Sequence, residues 1–295
     1  MNKYKSIFRS DAFAEKTILV TGGGSGIGRC VAHELMSLGA RLVLVGRSIE
    51  KLETVSAELL EDYGKNAACY SLDIRDEAAV VATIHKILSE QGGIHGLVNN
   101  AGGQFPSPLE HISAKGFDAV IKTNLTGGFL VSRELYKQCM AEQGGSVVNI
   151  TADNFKGMPG MAHSGAARAG MQNLTKTAAI EWAKSGVRVN AVAPGYIASS
   201  GMDTYDKELI KPIIGHAQQS TPLRRLGLEA EVSSAIVYLL SDAAAFITGL
   251  TMRVDGGSAQ TAVMWELEGK NNVAPFDAFQ RAVVPEVIQE LDKEA

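Results

Sequence analysis

The run Lys16-Thr-Ile-Leu-Val-Thr-Gly-Gly-Gly-Ser-Gly-Ile-Gly28 constrains this chain more than any other stretch. Three apolar residues, Ile18 to Val20, break into five glycines within seven positions, and a helical pattern then runs from Ile27 to about Leu38. Strand, glycine turn and amphipathic helix in that order make a phosphate-binding βα unit. Glycine lets the backbone approach a pyrophosphate closely, and the unpaired N–H groups of the helix start point at the anion. The spacing, Thr-Gly-x-x-x-Gly-x-Gly through Thr21, Gly22, Gly26 and Gly28, differs from the general dinucleotide fingerprint.

Strand and helix patterns alternate through the rest of the chain. Arg41–Gly46 reads as a second strand, 50–63 as a charged amphipathic helix and Ala67–Leu72 as a third strand. Asp76 caps a helix to about Glu90, and Ile94–Asn99 is a fourth strand. Helical periodicity fills 113–143, with an interruption expected at Gly127-Gly128. Ser146–Ile150, Val187–Ala193 and Leu250–Val254 complete seven strands; a long helix spans 164–184, and a turn and helix span 221–241. This alternation predicts an α/β fold, a parallel doubly wound sheet with helices on both faces. No linker-like stretch divides it, so one domain is expected over 12–258, with 259–295 as a C-terminal extension carrying a helix over 276–291 docked on a neighbour or partner.

Composition excludes several classes of function. A net charge of -4 gives no footprint for nucleic acid or an anionic membrane. The apolar runs are too short to span a bilayer or to form a secretory leader, and Asp292-Lys-Glu-Ala295 is not a peroxisomal ending. Cys30, Cys69 and Cys139 are widely spaced, which fits buried thiols in a reducing cytoplasm and argues against a metal site.

Thr21-Gly-Gly-Gly-Ser-Gly-Ile-Gly28, Asn99-Asn-Ala-Gly102, Asn124, Pro194-Gly195 and Asp255-Gly-Gly257 stand in the order and spacing of the short-chain dehydrogenase/reductases. The chain resembles that family over roughly 12–258. Gly102–Gly116 and His163–Gly170 look more narrowly like the peroxisomal trans-2-enoyl-CoA reductase branch, close to the 2,4-dienoyl-CoA reductases. Bacterial citronellol/citronellal dehydrogenase-like proteins are also similar, tail included. The resemblance implies a Rossmann-type domain, a nicotinamide cofactor and a homotetramer.

It also implies the contacts. Gly22, Ser25, Gly26 and Ile27 would cradle the pyrophosphate; Asp73 and Ile74 would hold the adenine. Asn99, Ala101 and Gly102 would line the adenosine side and the nicotinamide ribose, and Pro194, Gly195 and Ile197 would fix the carboxamide. An NAD enzyme wants an acid at the end of the second strand to take two ribose hydroxyls. Gly46 leaves that space open and Arg47 offers a guanidinium to a 2′-phosphate, so NADP(H) is expected over NAD(H).

The catalytic positions depart from the family. Its usual Tyr and Lys, four residues apart on one helical face, fall on Ser164 and Arg168. The helper Ser falls on Thr151 or Ala152, of which Thr151 has the hydroxyl, and Asn124 matches the structural Asn. Gln172 stands where the nearest branches keep a Tyr or an Asp. His163 reads as a packing residue and Asp153 as a turn cap. Three readings follow: an NADPH-dependent reductase of conjugated thioesters or enals, an alcohol or aldehyde dehydrogenase for an apolar chain such as a terpenol, and a cofactor binder without chemistry. Arg168 stays protonated and a Ser hydroxyl titrates far above neutrality, which favours conjugate reduction. The mixed segment 198–221 suits a lid over an apolar chain, and an ordinary amphipathic helix on the core would look the same.

Overall fold

The computed structural model describes residues 3–261 and 273–294. Seven strands form one parallel sheet: β1 (Thr17–Thr21), β2 (Arg41–Gly46), β3 (Ala68–Ser71), β4 (Gly96–Asn99), β5 (Gly145–Ile150), β6 (Val187–Pro194) and β9 (Thr251–Val254), in the order β3-β2-β1-β4-β5-β6-β9. A separate pair, β7 (Ile197–Ala198) and β8 (Gly227–Leu228), lies beside it. The helices are α1 (Gly26–Ser37), α2 (Ile49–Tyr63), α3 (Glu77–Gln91), α4 (Ala114–Ile121), α5 (Gly127–Leu135), α6 (Ala141–Gln143), α7 (Ala162–Glu181), α8 (Lys207–Ser220), α9 (Glu229–Leu240) and α10 (Glu286–Glu294).

Both faces of the sheet are buried, and the strands show why. Side chains alternate across a strand, so Ile18 and Val20 enter the core on one face while Leu19 enters the core on the other. Leu42 and Leu44 separate from Val43 and Val45 in the same way. Each such burial contributes about 1.5–3 kcal/mol. The sheet reverses direction of growth between β1 and β4, and the cleft at their carboxyl ends is where such folds bind ligands.

Two expectations need correction. Gly127 and Gly128 do not interrupt a helix; they allow it to pack. A Cβ on Gly127 would fall 2.6 Å from the Ile74 side chain, and one on Gly128 2.7 Å from Met171 Cε. The irregularities are π turns at Lys122–Thr126 and Tyr136–Met140.

The tail helix begins at Glu286, after Pro285, a residue suited to a helix start and not to its interior. Before it, Ala278 and Phe279 bury against Tyr4 and α1 of the same chain. Val287, Ile288 and Leu291 of α10 then pack on the cluster of Met202, Ile210 and Ile214, so the tail docks on the segment around α8 of its own chain. Residues 262–272 of the extension lie outside the described residues. Among the described residues no helix is long and apolar enough to cross a membrane.

Candidate active site

At the end of β1 the chain turns through Gly22 (φ 67°) and Gly26 (φ 55°), backbone conformations that glycine alone adopts freely. A Cβ on Gly28 would stand 2.3 Å from the Gly22 carbonyl, so the loop can fold tightly onto α1 only with glycine there. Ser25 caps α1 in extended conformation without spending its side chain on a cap, leaving its exposed hydroxyl and the first-turn N–H groups facing solvent. The Asn100 side chain donates to the Thr21 and Gly22 carbonyls, both at 3.1 Å, and Thr21 Oγ1 accepts from the Asn100 and Ala101 amides at 3.0 Å. The loop is thereby pinned to the end of β4. This cradle fits a dinucleotide: left-handed glycines, a close-approach position and unused donors meet where a pyrophosphate would lie.

Along the sheet edge the other expected contacts are placed as follows. Asp73 chelates Arg75 through both oxygens (2.9 Å from Nε to Oδ1), and those bonds hold its carboxylate down at about 2. Arg47 is exposed, and its guanidinium makes no hydrogen bond or ion pair among the described residues. The Asn99 side chain is 6 % exposed and donates through Nδ2 to Gly128, Ser132 and Asn149, so it braces β4, while its buried Oδ1 has no partner among the described residues. Pro194 and Ile197 are buried, and a Cβ on Gly195 would meet Asp255 Cα at 2.8 Å.

The π turn at Lys122–Thr126 turns Asn124 onto the backbone of Gly103, accepting from its N–H and donating to its carbonyl, both at 2.9 Å. Arg168 reaches the same place from α7. A Cβ on Gly102 would come within 2.6 Å of Arg168 Nη2 and 2.9 Å of Asn124 Oδ1. Arg168 Nη1 donates to the Ile150 carbonyl at 2.6 Å, while its buried Nε has no partner. Burial lowers its pKa from 12.5 to about 10. Among the described residues it pairs with no carboxylate.

The two expected hydroxyl donors are already committed. Thr151 Oγ1 donates to the Val192 carbonyl at 3.1 Å and is buried between β5 and β6, which removes it as a donor to substrate. Ser164 is fully buried, and its hydroxyl donates to Gln104 Oε1 at 2.5 Å. Gln172 Nε2 is held by Asn154 Oδ1 at 2.9 Å. His163 packs edge-on against Phe105, ring centres 4.4 Å apart, and Asp153 accepts from Ser258. Gly102, Asn124 and Arg168 therefore meet, and Ser164 reaches Gln104, two residues beyond Gly102. Sequence reasoning missed Asn100 and Gln104. The first is half-visible in the doubled Asn99-Asn100; the second carries no local signal.

The enoyl-(acyl carrier protein) reductase family model matches residues 22–259. Peroxisomal 2,4-dienoyl-CoA reductase of Mus musculus is 35% identical over 261 residues, 88% of this chain and 89% of that protein. Among solved structures, citronellol catabolism dehydrogenase of Pseudomonas aeruginosa is 56% identical, covering 87% of this chain and 100% of its own, with a TM-score of 0.79. Levodione reductase is 32% identical, covering 85% and 100%, with a TM-score of 0.80.

Proposed function

This chain belongs to the short-chain dehydrogenase/reductase family of oxidoreductases, and from that premise we propose that it reduces a conjugated acyl thioester with NADPH. The observation that carries the reading is Arg168: a buried guanidinium at the cleft with, among the described residues, an unpartnered Nε and no paired acid. A permanent cation there favours a reaction that gathers negative charge, and it cannot serve as a base. In conjugate reduction the charge gathers on the thioester oxygen. Alcohol oxidation instead needs a group that removes the hydroxyl proton as hydride leaves.

When bound, NADPH supplies the hydride. Gly22, Ser25, Gly26 and Ile27 would hold its pyrophosphate, Asp73 and Ile74 the adenine, and Ala101, Gly102 and the Asn99 backbone the sugars. Pro194, Gly195 and Ile197 would face the carboxamide, and Gly46 with the free Arg47 supports a 2′-phosphate. Asn124 holds the Gly103 backbone beneath the cleft, and Arg168 holds the ribose side and the developing charge.

A second reading, oxidation of a terpenol, is favoured by the 56% identity to citronellol catabolism dehydrogenase. Purified protein with NADPH and crotonyl- or decenoyl-CoA, against NADP⁺ or NAD⁺ with citronellol, separates the two. Turnover of the thioesters alone supports conjugate reduction; turnover of citronellol alone rejects it, and silence on both leaves cofactor binding only.

We also propose a homotetramer. The outward face of α7 carries Ala166, Ala169, Asn173 and Thr177 beside an open groove of about 310 Å³. Ala167, Ala178 and Ala179 are buried within the chain and take no part in that face. A monomeric mass in light scattering would reject the tetramer.

A further inference from the structure

The position that gives the family its phenol holds Ser164, and the bonds around it lead to another phenol. Ser164 Oγ donates to Gln104 Oε1 at 2.5 Å, and Gln104 Nε2 donates to Tyr205 Oη at 3.4 Å. Gln104 lies two residues beyond Gly102, where Arg168 and Asn124 meet, and Tyr205 comes to it from the segment between β7 and α8. The polarity of this relay matters. The Ser164 proton is spent on Gln104, whereas Tyr205 only accepts, so its own proton has no acceptor among the described residues. Tyr205 is held from behind: its half-buried ring packs on Met202, Ile210 and Ile214, which α10 in turn covers with Val287. The segment around α8 is also tied to α10 by Lys207 with Glu290 at 2.7 Å and by the Glu286 amide with Asp203 at 2.9 Å.

We propose that Tyr205 is the catalytic acid of this chain, standing in across Gln104 for the phenol missing at Ser164. The inference rests on the conjugate-reduction reading. Hydride forms a C–H bond at the β-carbon, and the double-bond pair moves onto the thioester oxygen beside Arg168. As the carbonyl re-forms, the α-carbon takes the Tyr205 proton: a C–H bond forms, the O–H bond breaks, and the phenolate recovers its proton from water. The thioester gains two electrons and two hydrogens, one as hydride from the reduced nicotinamide and one as a proton. Ser164 and Gln104 are positioning residues that fix where the phenol stands.

The test compares Tyr205→Phe and Ser164→Ala with the wild type on decenoyl-CoA and NADPH in D₂O. General acids contribute about 10²–10⁴-fold, so Tyr205→Phe is expected to lower kcat by that factor. Its NADPH affinity by fluorescence and decenoyl-CoA affinity by calorimetry should stay within about threefold, as for loss of one hydrogen bond. The wild type should place deuterium on one face of the α-carbon, and Tyr205→Phe on both. Ser164→Ala should lose at most about tenfold, the value of one positioning bond, and keep the one-face outcome. A kcat for Tyr205→Phe near that of the wild type overturns the assignment, as does unchanged single-face labelling or a larger loss in Ser164→Ala. A wild type inert toward the thioester removes the conjugate-reduction reading and the acid together.

Discussion

Arg168 Nη1 donates to the Ile150 carbonyl at 2.6 Å, while its Nε, equally buried, has no acceptor among the described residues. The charge costs folding stability. Its folded value of about 10 lies below the 12.5 of the exposed group, so the unfolded chain holds the proton more tightly. The cost is present at every pH below about 10 and vanishes only above the unfolded value. At roughly 1.4 kcal/mol per pH unit this is about 3 kcal/mol, against about 1–3 kcal/mol for the carbonyl left bare by substitution. Arg168→Met is therefore expected to unfold in urea at a midpoint no lower than the wild type without cofactor, while its turnover falls at least about 100-fold. A variant that is clearly less stable but still turns over would contradict this.

Gly46 and Arg47 set the expected cofactor preference. Arg47→Ala should lose about 1.5–3 kcal/mol toward NADPH, ten- to a hundredfold in affinity, and little toward NADH. A Cβ on Gly46 would meet Leu52 Cδ2 at 3.4 Å, ordinary contact, so Gly46→Asp fits and offers a carboxylate to the ribose hydroxyls. Fluorescence titration of both reduced cofactors should show this variant binding NADH more tightly than NADPH. Equal affinities in the wild type would reject the preference.

The sheet was legible because its signal is local: an apolar run such as Arg41–Gly46 buried on both faces has one reading. The glycine cradle was legible for the same reason, since Gly22 and Gly26 need their φ values whatever surrounds them. Gly127-Gly128 misled because a glycine that permits contact with Ile74 and Met171 looks in sequence like one that ends a helix. Thr151 misled because the hydroxyl's direction depends on its partner Val192, 41 residues away. Gln104 and Tyr205 are 101 residues apart, and only the folded cleft brings them together.

The tail should matter for stability. Phe279 is 2% exposed, with its ring centre 5.1 Å from that of His33 and the Arg29 guanidinium 5.2 Å above it. Phe279→Ala removes a packed ring and leaves a cavity, for about 3–5 kcal/mol. Arg281→Ala, which breaks paired bonds of 2.6 and 2.8 Å to Asp62, should cost about 1 kcal/mol because the pair is partly solvated. Urea unfolding of the two variants checks the ranking. An Arg281 effect larger than that of Phe279 would mean that charge, not packing, holds the tail.

Glu229 opens α9 directly behind the phosphate cradle, its Oε1 3.8 Å from where a Gly26 Cβ would stand. It is 8% exposed, and burial raises its pKa from 4.5 to about 7, with the Arg29 charge pulling the other way. Between those values the folded chain binds more protons than the unfolded one, so stability falls as pH rises from about 4.5 to about 7 and is level above. The full loss is about 3 kcal/mol. Glu229→Gln should remove it: its advantage over the wild type in urea should be under about 1 kcal/mol at pH 5 and approach about 3 kcal/mol at pH 8. A pyrophosphate at Gly26 brings more negative charge, which holds the proton on Glu229 more firmly. NADPH affinity of the wild type should therefore weaken from pH 6 to pH 8, and that of Glu229→Gln should stay flat. An advantage independent of pH would show that packing, and not the charge, distinguishes the variant.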